Sequence, residues 1–427
     1  MRVLMFGWEF PPHITGGLGT ACYGITKGLA HFGTEVIFVV PKAYGDEDQN
    51  FVSIRNASDA VITEKDVKET KVWKNFRYIE VGSRIIPYMN PEDFSKVYES
   101  NIPGLKISET FLNKKYNFSG SYGPNLYEEV SRYALIAGHI AAQNDFDVIH
   151  AHDWLTYFAG VAAKKVSGKP LVVHIHATEF DRSGEHVNQH VYDIERAGME
   201  AADKVIAVSN LTRNIVINRY GIDPSKVVTV HNSVEPVTLP EITLHKGFKE
   251  KVVTFLGRVT FQKGPDYFIE AAKKVIDRDP NVRFVMAGSG DMLNKMVRRV
   301  AQLGIATKFH FAGFLKGNEV YEMFGMSDVY VMPSVSEPFG ISPLEAMMSD
   351  VPVIISKQSG VAEVLKHAIK VDFWDVDALA DSIYGMLHYD ALSQMFKKYG
   401  KQEVENLRWE NSAFHINEVY KSAVEGR

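Results

Sequence analysis

Ser334-Val335-Ser336-Glu337-Pro338-Phe339-Gly340-Ile341-Ser342-Pro343-Leu344-Glu345-Ala346-Met347 follows an apolar run, Val329 to Met332, and leads into a helical pattern. The apolar run reads as a buried strand. Pro338, Gly340 and Pro343 break any helix between the two carboxylates. Glu337 therefore belongs to a loop at the carboxyl end of a strand, and Glu345 to the first turn of the next helix. In an open α/β sheet, ligands bind at that edge. Glu345 also has a local alternative. Ser342-Pro343-Leu344-Glu345 reads as a capping box with Pro at the first helical position, in which Glu345 caps its own helix.

Upstream, Val252 to Leu256 reads as a strand ending in Gly257-Arg258, with Lys263-Gly264 before a helix over Asp266 to Ile276. Phe284 to Ala287 ends in Gly288-Ser289-Gly290, and Phe309 to Phe311 leads to Gly313-Phe314-Leu315. Further strands follow at Val353 to Ile355 and Ile369 to Val371, and the tail from about Asp377 is helical. Two cations at strand ends near a helix N-terminus, Arg258 and Lys263, make a receptor for a diphosphate. Gly288 and Gly290 let a flat group lie against the backbone. Glu345 can accept both hydroxyls of a ribose. Together these residue types spell a nucleotide-diphosphate site, against the plain alternative of solvated surface charges.

The first half has the same architecture. Val3 to Phe6 is a strand, and Pro11-Pro12-His13-Ile14-Thr15-Gly16-Gly17-Leu18-Gly19 precedes a helix from about Thr20 to Phe32. A second strand runs from Glu35 to Val40. Gly16 and Gly17 at a helix N-terminus suit an anion, or else a tight turn. The loop matches neither a dinucleotide fingerprint nor a Walker sequence. Residues 45 to 125 show little period, and a long irregular segment of this kind is expected to shape an acceptor site.

Order returns with a helix over Leu126 to Asn144 and a strand over Val148 to Ala151, at whose end His150, His152 and Asp153 cluster. Leu171 to His176 follows, and alternation puts His174 and His176 on one face. Two H-x-H pairs admit a metal-dependent hydrolase reading. The reading preferred here has His152 and His176 at strand ends facing a ligand. His150 and His174 are then structural, hydrogen-bonded at the edge of the core. Helices over Asp193 to Ala201 and Leu211 to Tyr220 alternate with strands Val205 to Val208 and Val227 to Val230. Such alternation implies parallel sheets. Three Asp-x-Asp matches (Asp46/Asp48, Asp277/Asp279, Asp375/Asp377) fall at turns, where Asp serves turn chemistry, so no metal site is expected.

The 427 residues exceed one comfortable core and suit two domains, 1–240 and 250–407, joined through a Pro/Thr/Glu/Lys-rich stretch. A hydrophobic content of 45% and a charged content of 23% are those of a globular protein. A net charge of −5 gives no reason to expect nucleic acid. One cysteine, Cys22, excludes an internal disulfide or a cysteine-based metal cluster. Without an apolar run near the ~20 residues that span a bilayer, or a leader pattern, the expectation is a cytoplasmic protein with at most peripheral membrane contact.

Leu256-Gly257-Arg258 through Lys263-Gly264, Gly288-Ser289-Gly290 and the spaced glutamates Glu337 and Glu345 resemble the retaining glycosyltransferases of family 4. The resemblance implies the GT-B fold, an α/β arrangement of two Rossmann-like parallel-sheet domains facing a cleft. It also implies a last helix, about 408–427, packing back on the first domain. Arg258 and Lys263 would hold the donor diphosphate and Glu345 the ribose. Glu337 would lie beside the donor sugar and Lys263, and His176 would contact that sugar. Gly16, Gly17, Gly288, Gly290, Leu315, Phe339, Gly340 and Ile341 would complete the donor site. His152 and Asp153 would lie on the acceptor side.

The family transfers sugar with retention, generally without a metal or other cofactor. Gly16-Gly17-Leu18-Gly19 and His150-Ala151-His152-Asp153-Trp154 are similar to glycogen and starch synthases. Ile14 and Thr20 depart from them, standing where those enzymes have a lysine and an aspartate. The expected partners are a UDP- or ADP-linked sugar and an α-glucan or other polysaccharide. A glycolipid or small-molecule acceptor is second, and a non-catalytic nucleotide-sugar binding protein is a further alternative.

Overall fold

Short strands, most of them apolar and many followed by a helix, pair side by side into two parallel sheets. The structure is a computed structural model that describes residues 1–13, 16–61, 115–120, 122–123, 126–235 and 247–426. Most of the irregular segment expected to shape an acceptor site, and Ile14, lie outside the described residues.

The first sheet has seven strands: β1 (Arg2–Phe6), β2 (Glu35–Val40), β3 (Ser53–Asn56), β4 (Val148–His152), β5 (Leu171–Ile175), β6 (Lys204–Ala207) and β7 (Val227–Thr229). Their order is β3-β2-β1-β4-β5-β6-β7. The second has six: β8 (Lys251–Leu256), β9 (Val282–Ala287), β10 (Phe309–Gly313), β11 (Val329–Met332), β12 (Val353–Ser356) and β13 (Ile369–Val371). Their order is β10-β9-β8-β11-β12-β13. All pairings are parallel.

Strand alternation splits each sheet between two cores. Leu4, Phe6, Ile149 and Ala151 pack on one face of the first sheet, and Val3, Met5 and Val148 on the other. Val253, Phe255, Val329 and Val331 pack on one face of the second, and Tyr330, Met332, Val353 and Ile355 on the other. Strand order reverses between β1 and β4 and again between β8 and β11. A crevice opens at such points, beyond the carboxyl ends of the strands. The carboxyl ends of these four strands and the segments just after them carry Gly16 and Gly17, His152 and Asp153, Arg258, and Glu337.

Among the helices, α1 (Gly17–His31), α2 (Leu126–Gln143), α3 (Trp154–Ser167), α4 (Glu179–Ser183), α5 (Gln189–Ala201) and α6 (Asn210–Tyr220) belong to the first half. The second half contains α7 (Pro265–Arg278), α8 (Leu293–Gln302), α9 (Asn318–Met326), α10 (Ser342–Met348), α11 (Val376–His388), α12 (Asp390–Val404) and α13 (Trp409–Glu425). The tail is thus three helices. The last, α13, packs on the first sheet through Trp409, Ala413, Ile416, Val419 and Tyr420. A Cβ on Gly24 of α1 would lie 2.2 Å from the Trp409 ring, so only glycine admits this helix pair.

The chain crosses between the halves twice, and the crossings touch. Val234 N–H donates to Leu407 O at 3.2 Å, and Val234 bridges Arg408. Ser233 Oγ lies 2.8 Å from Ser412 Oγ, which donates to His231 O at 2.7 Å. No helix of the described residues is long and apolar enough to cross a membrane.

Candidate active site

Lys263 closes a short 3-10 turn, Phe261–Lys263, after β8. Gly264 follows at φ +65°, and a Cβ there would lie 2.1 Å from Pro333 O. The left-handed glycine thus seats the turn against the loop after β11. Lys263 Nζ forms an ion pair with Glu337, the two side chains being 18% and 8% exposed. Glu337 also accepts from Ser334 Oγ at 3.3 Å. Its backbone is pinned on both sides: its N–H donates to Gln358 O at 3.0 Å, and its carbonyl accepts from Gly360 N at 2.9 Å. Arg258 is exposed, and its guanidinium donates to Gln262 Oε1 at 3.2 Å.

Glu345 does not cap its helix. The residue before α10 is Ile341, and no side chain caps that end. Ser342 Oγ instead accepts from the Tyr330 hydroxyl at 3.0 Å, and Glu345 N–H donates to Ile341 O at 3.2 Å. The capping-box alternative is therefore overturned: the hydroxyl it needs is taken by a strand twelve positions away in sequence. The Glu345 carboxylate is half-buried and has no hydrogen-bond or ion-pair partner among the described residues. Burial pushes it up to about 7. Buried carboxylates are ordinarily paired, so Glu345 is a candidate binding residue.

The remaining donor-site candidates divide. Phe339 is 2% exposed within the core, so only its backbone could meet a ligand. Gly340 turns the chain at φ +100°. Leu315 and Ile341 pack, partly exposed, on the same core. A Cβ on Gly288 would lie 1.8 Å from Gly257 O, and one on Gly290 2.3 Å from Val259 O. Their missing side chains thus admit the neighbouring loop. At Gly16 and Gly17 a Cβ would meet nothing within 4 Å among the described residues, and neither has positive φ.

In the first half, His150, His152 and His174 are buried and their rings form a column with His176. His150 Nδ1 lies 2.6 Å from the Tyr420 hydroxyl, and His152 Nδ1 lies 2.9 Å from His176 Nε2. His174, expected to be hydrogen-bonded, has no partner at either ring nitrogen among the described residues. Ligand atoms of His150, His152 and His174, and of Cys22, His152 and His176, lie within 4.8 Å of one another. The ring planes of His150 and His174 are stacked 9° apart, and those of His174 and His176 23° apart. His152 has no exposed surface to offer an acceptor. Asp153 accepts the backbone N–H of His176 at 2.6 Å and of Ala177 at 3.3 Å. Both act on the segment that carries His176.

That segment rests on a buried ionic network that the sequence pattern does not display. Thr178 and Asp181 form a capping box at α4. Arg182 donates to Glu195 at 2.6 Å and to Ala177 O at 3.1 Å. Glu195 also accepts from the Tyr220 hydroxyl, and burial pushes its carboxyl up to about 7. Thr178-x-x-Asp181 is the signal that sequence reading could have used. Across the domain boundary, Ser336 Oγ donates to Asp181 Oδ1 at 2.5 Å.

The family described as Glycosyltransferase Family 4 matches residues 15–237, and the one described as Glycosyl transferases group 1 matches residues 243–403. The chain belongs to glycosyltransferase family 4. An uncharacterised glycosyltransferase of Methanocaldococcus jannaschii is 30% identical over 100% of this chain and 99% of its own. A glycogen synthase of Mycobacterium tuberculosis is 24% identical over 100% and 96%. The structure of sucrose-phosphate synthase from Thermosynechococcus elongatus superimposes with a TM-score of 0.71 at 17% identity, covering all of both chains. The two parallel-sheet domains of this glycosyltransferase are the GT-B fold. Its activity is that of a retaining hexosyltransferase dependent on a nucleotide sugar.

Proposed function

We propose that this glycosyltransferase moves glucose from UDP- or ADP-glucose to a glycan, an α-glucan before a glycolipid or small molecule. The observation that carries the reading of the donor site is the unpartnered, half-buried Glu345 carboxylate, one loop beyond the Lys263–Glu337 pair. In this reading Glu345 accepts the ribose hydroxyls and Arg258 and Lys263 neutralise the diphosphate. Gly16 and Gly17 leave room for phosphate and sugar from the other side, and His176 meets the donor sugar.

The acceptor hydroxyl attacks the anomeric carbon on the face that the diphosphate leaves. The bond from that carbon to the phosphate oxygen breaks, and the leaving phosphate takes the hydroxyl proton. Cations beside the leaving group stabilise the charge that develops there. Glucose and an α-glucan are favoured by the whole-length similarity to a glycogen synthase.

A screen of nucleotide sugars, scored by release of UDP, ADP or GDP with and without α-glucan, tests this. Release from UDP- or ADP-glucose that rises with glucan is expected. Release only from another sugar, or only with a lipid acceptor, would replace the substrates and leave the site reading standing.

A further inference from the structure

The histidine column has a protonation pattern that burial decides. The Nε2 atoms of His150 and His152, and both ring nitrogens of His174, are buried without a hydrogen-bond partner among the described residues. Burial lowers the basicity of all four rings, so each is neutral and carries one proton. In a neutral imidazole one nitrogen donates and the other accepts. Leaving a buried N–H without an acceptor is the rarer omission in folded proteins, and a lone pair without a donor the more tolerable one.

For His152 the proton therefore sits on Nδ1, which has a partner, and the lone pair on Nε2, which has none. His174 must bury one N–H in any arrangement. The opposite tautomer of His152 would add a second within the same cluster, where ring nitrogens of His150, His152 and His174 lie within 4.8 Å. His152 Nδ1 then donates to His176 Nε2 across 2.9 Å. His176 Nε2 is an acceptor, and its own proton sits on Nδ1. That Nδ1 has no hydrogen-bond partner among the described residues and is not among the buried unpaired atoms.

We propose that His152 is a positioning residue that selects the Nδ1–H tautomer of His176, so that His176 turns a donor rather than a lone pair toward the bound sugar. The proposal rests on the reading of His176 as a sugar contact. Asp153 holds the His176 peptide and His152 holds its ring, so backbone and tautomer are set from the same strand end. Tyr420 anchors the far end of the column from α13 through His150. The neighbour's hydrogen bond deciding which imidazole nitrogen is protonated is the general rule for histidine.

Long-range proton–nitrogen NMR of histidine-labelled, ligand-free protein tests the tautomer directly, with His176 assigned by the signals lost in His176→Ala. Protonated Nδ1 and bare Nε2 are expected, and the reverse overturns the proposal. His152→Asn keeps an N–H near the Nδ1 position, whereas His152→Leu has similar bulk and no donor. Release of UDP or ADP from UDP- or ADP-glucose should fall about 10–100-fold in the Leu variant, as for other outer-sphere partners. The Asn variant should recover most of that loss, with UDP and ADP binding retained in both.

Equal losses in the two variants would reduce His152 to packing and overturn the proposal. So would stoichiometric zinc in the parent that is absent from His152→Leu, because the metal would then occupy the lone pair. Should neither variant fold, the NMR of the parent still decides. Full turnover in His176→Ala would instead sink the sugar-contact reading while leaving the tautomer result intact.

Discussion

Ser336, beside Glu337 in the second domain, donates its hydroxyl to Asp181 of the first across 2.5 Å. Asp181 is 1% exposed, and its other oxygen holds the Thr178 N–H and hydroxyl at 2.7 Å each. A residue next to Glu337 is thus tied to the segment that carries His176. In Ser336→Ala a buried carboxylate oxygen loses its donor, at a cost of about 1–3 kcal/mol. The variant should melt earlier than the parent and show a larger radius of gyration by small-angle scattering in saturating UDP. Unchanged melting and an unchanged radius would remove this contact from domain closure.

Glu345→Gln separates a ligand-binding carboxylate from a structural one. The carboxylate makes no contact that folding needs, so the variant should melt at or slightly above the parent temperature. Charge-assisted hydrogen bonds are worth about 1.5–3 kcal/mol each. UDP or ADP affinity, read by calorimetry, should therefore fall roughly 10–100-fold at about 1.4 kcal/mol per decade. Parent-like affinity would take the ribose away from Glu345.

If Glu345 accepts the ribose as proposed, nucleotide binding depends on pH. Its folded value, about 7, stands above the ordinary 4.5. Between those values the empty folded protein holds a proton that the unfolded chain has lost, so this group's contribution to stability falls as pH rises through that window. A ribose donating to the ionised form pulls the proton off. Affinity for UDP or ADP should therefore rise from pH 6 to 8, with proton release visible as a buffer-dependent heat. Glu345→Gln should lose that dependence, and a flat parent profile would count against the assignment.

Lys263 and Glu337 should be unequal as single and double substitutions. Lys263→Met leaves Glu337 charged at 8% exposure, and breaking a buried pair from one side costs about 3–5 kcal/mol. Lys263→Met with Glu337→Leu removes both charges and should regain most of the stability without any turnover. A double variant as unstable as the single would mean that the pair is not what makes Lys263 costly to lose.

Turnover should survive chelation. Arg258 and Lys263 supply the positive charge at the diphosphate in the proposed site, which a metal would otherwise provide. Activity abolished by EDTA and restored by Mn²⁺ or Mg²⁺ would reverse this.

Glu337 and Glu345 were legible because strand, breakers and helix follow one another within twenty residues, and such local punctuation survives folding. Ser342 misled for the opposite reason. Its hydroxyl had a local use in the sequence, but Tyr330 from the adjoining strand claims it. Strand alternation placed His174 on the face of His176, yet could not tell that no donor or acceptor reaches it. Gly288 and Gly290 were visible as glycines, while the backbone that needs their space arrives from another strand. Arg182, Glu195 and Tyr220 were invisible because none carries a local pattern, and their meeting depends on how α4, α5 and α6 stack.

The two chain crossings restrict how the halves can move. A single linker would leave one domain free to swing, twist and slide against the other. Here Val234 is bonded to Leu407 and bridged to Arg408, with Ser233 and Ser412 joined alongside. Two strands fastened side by side behave as a pair of pins through one knuckle: twisting about the linker axis would shear those bonds, and sliding would stretch both segments at once. Rotation about the line of the pins would shear neither bond. His231, three residues from the pin, meets Glu363 at 2.8 Å, so this contact between the halves lies close to such an axis.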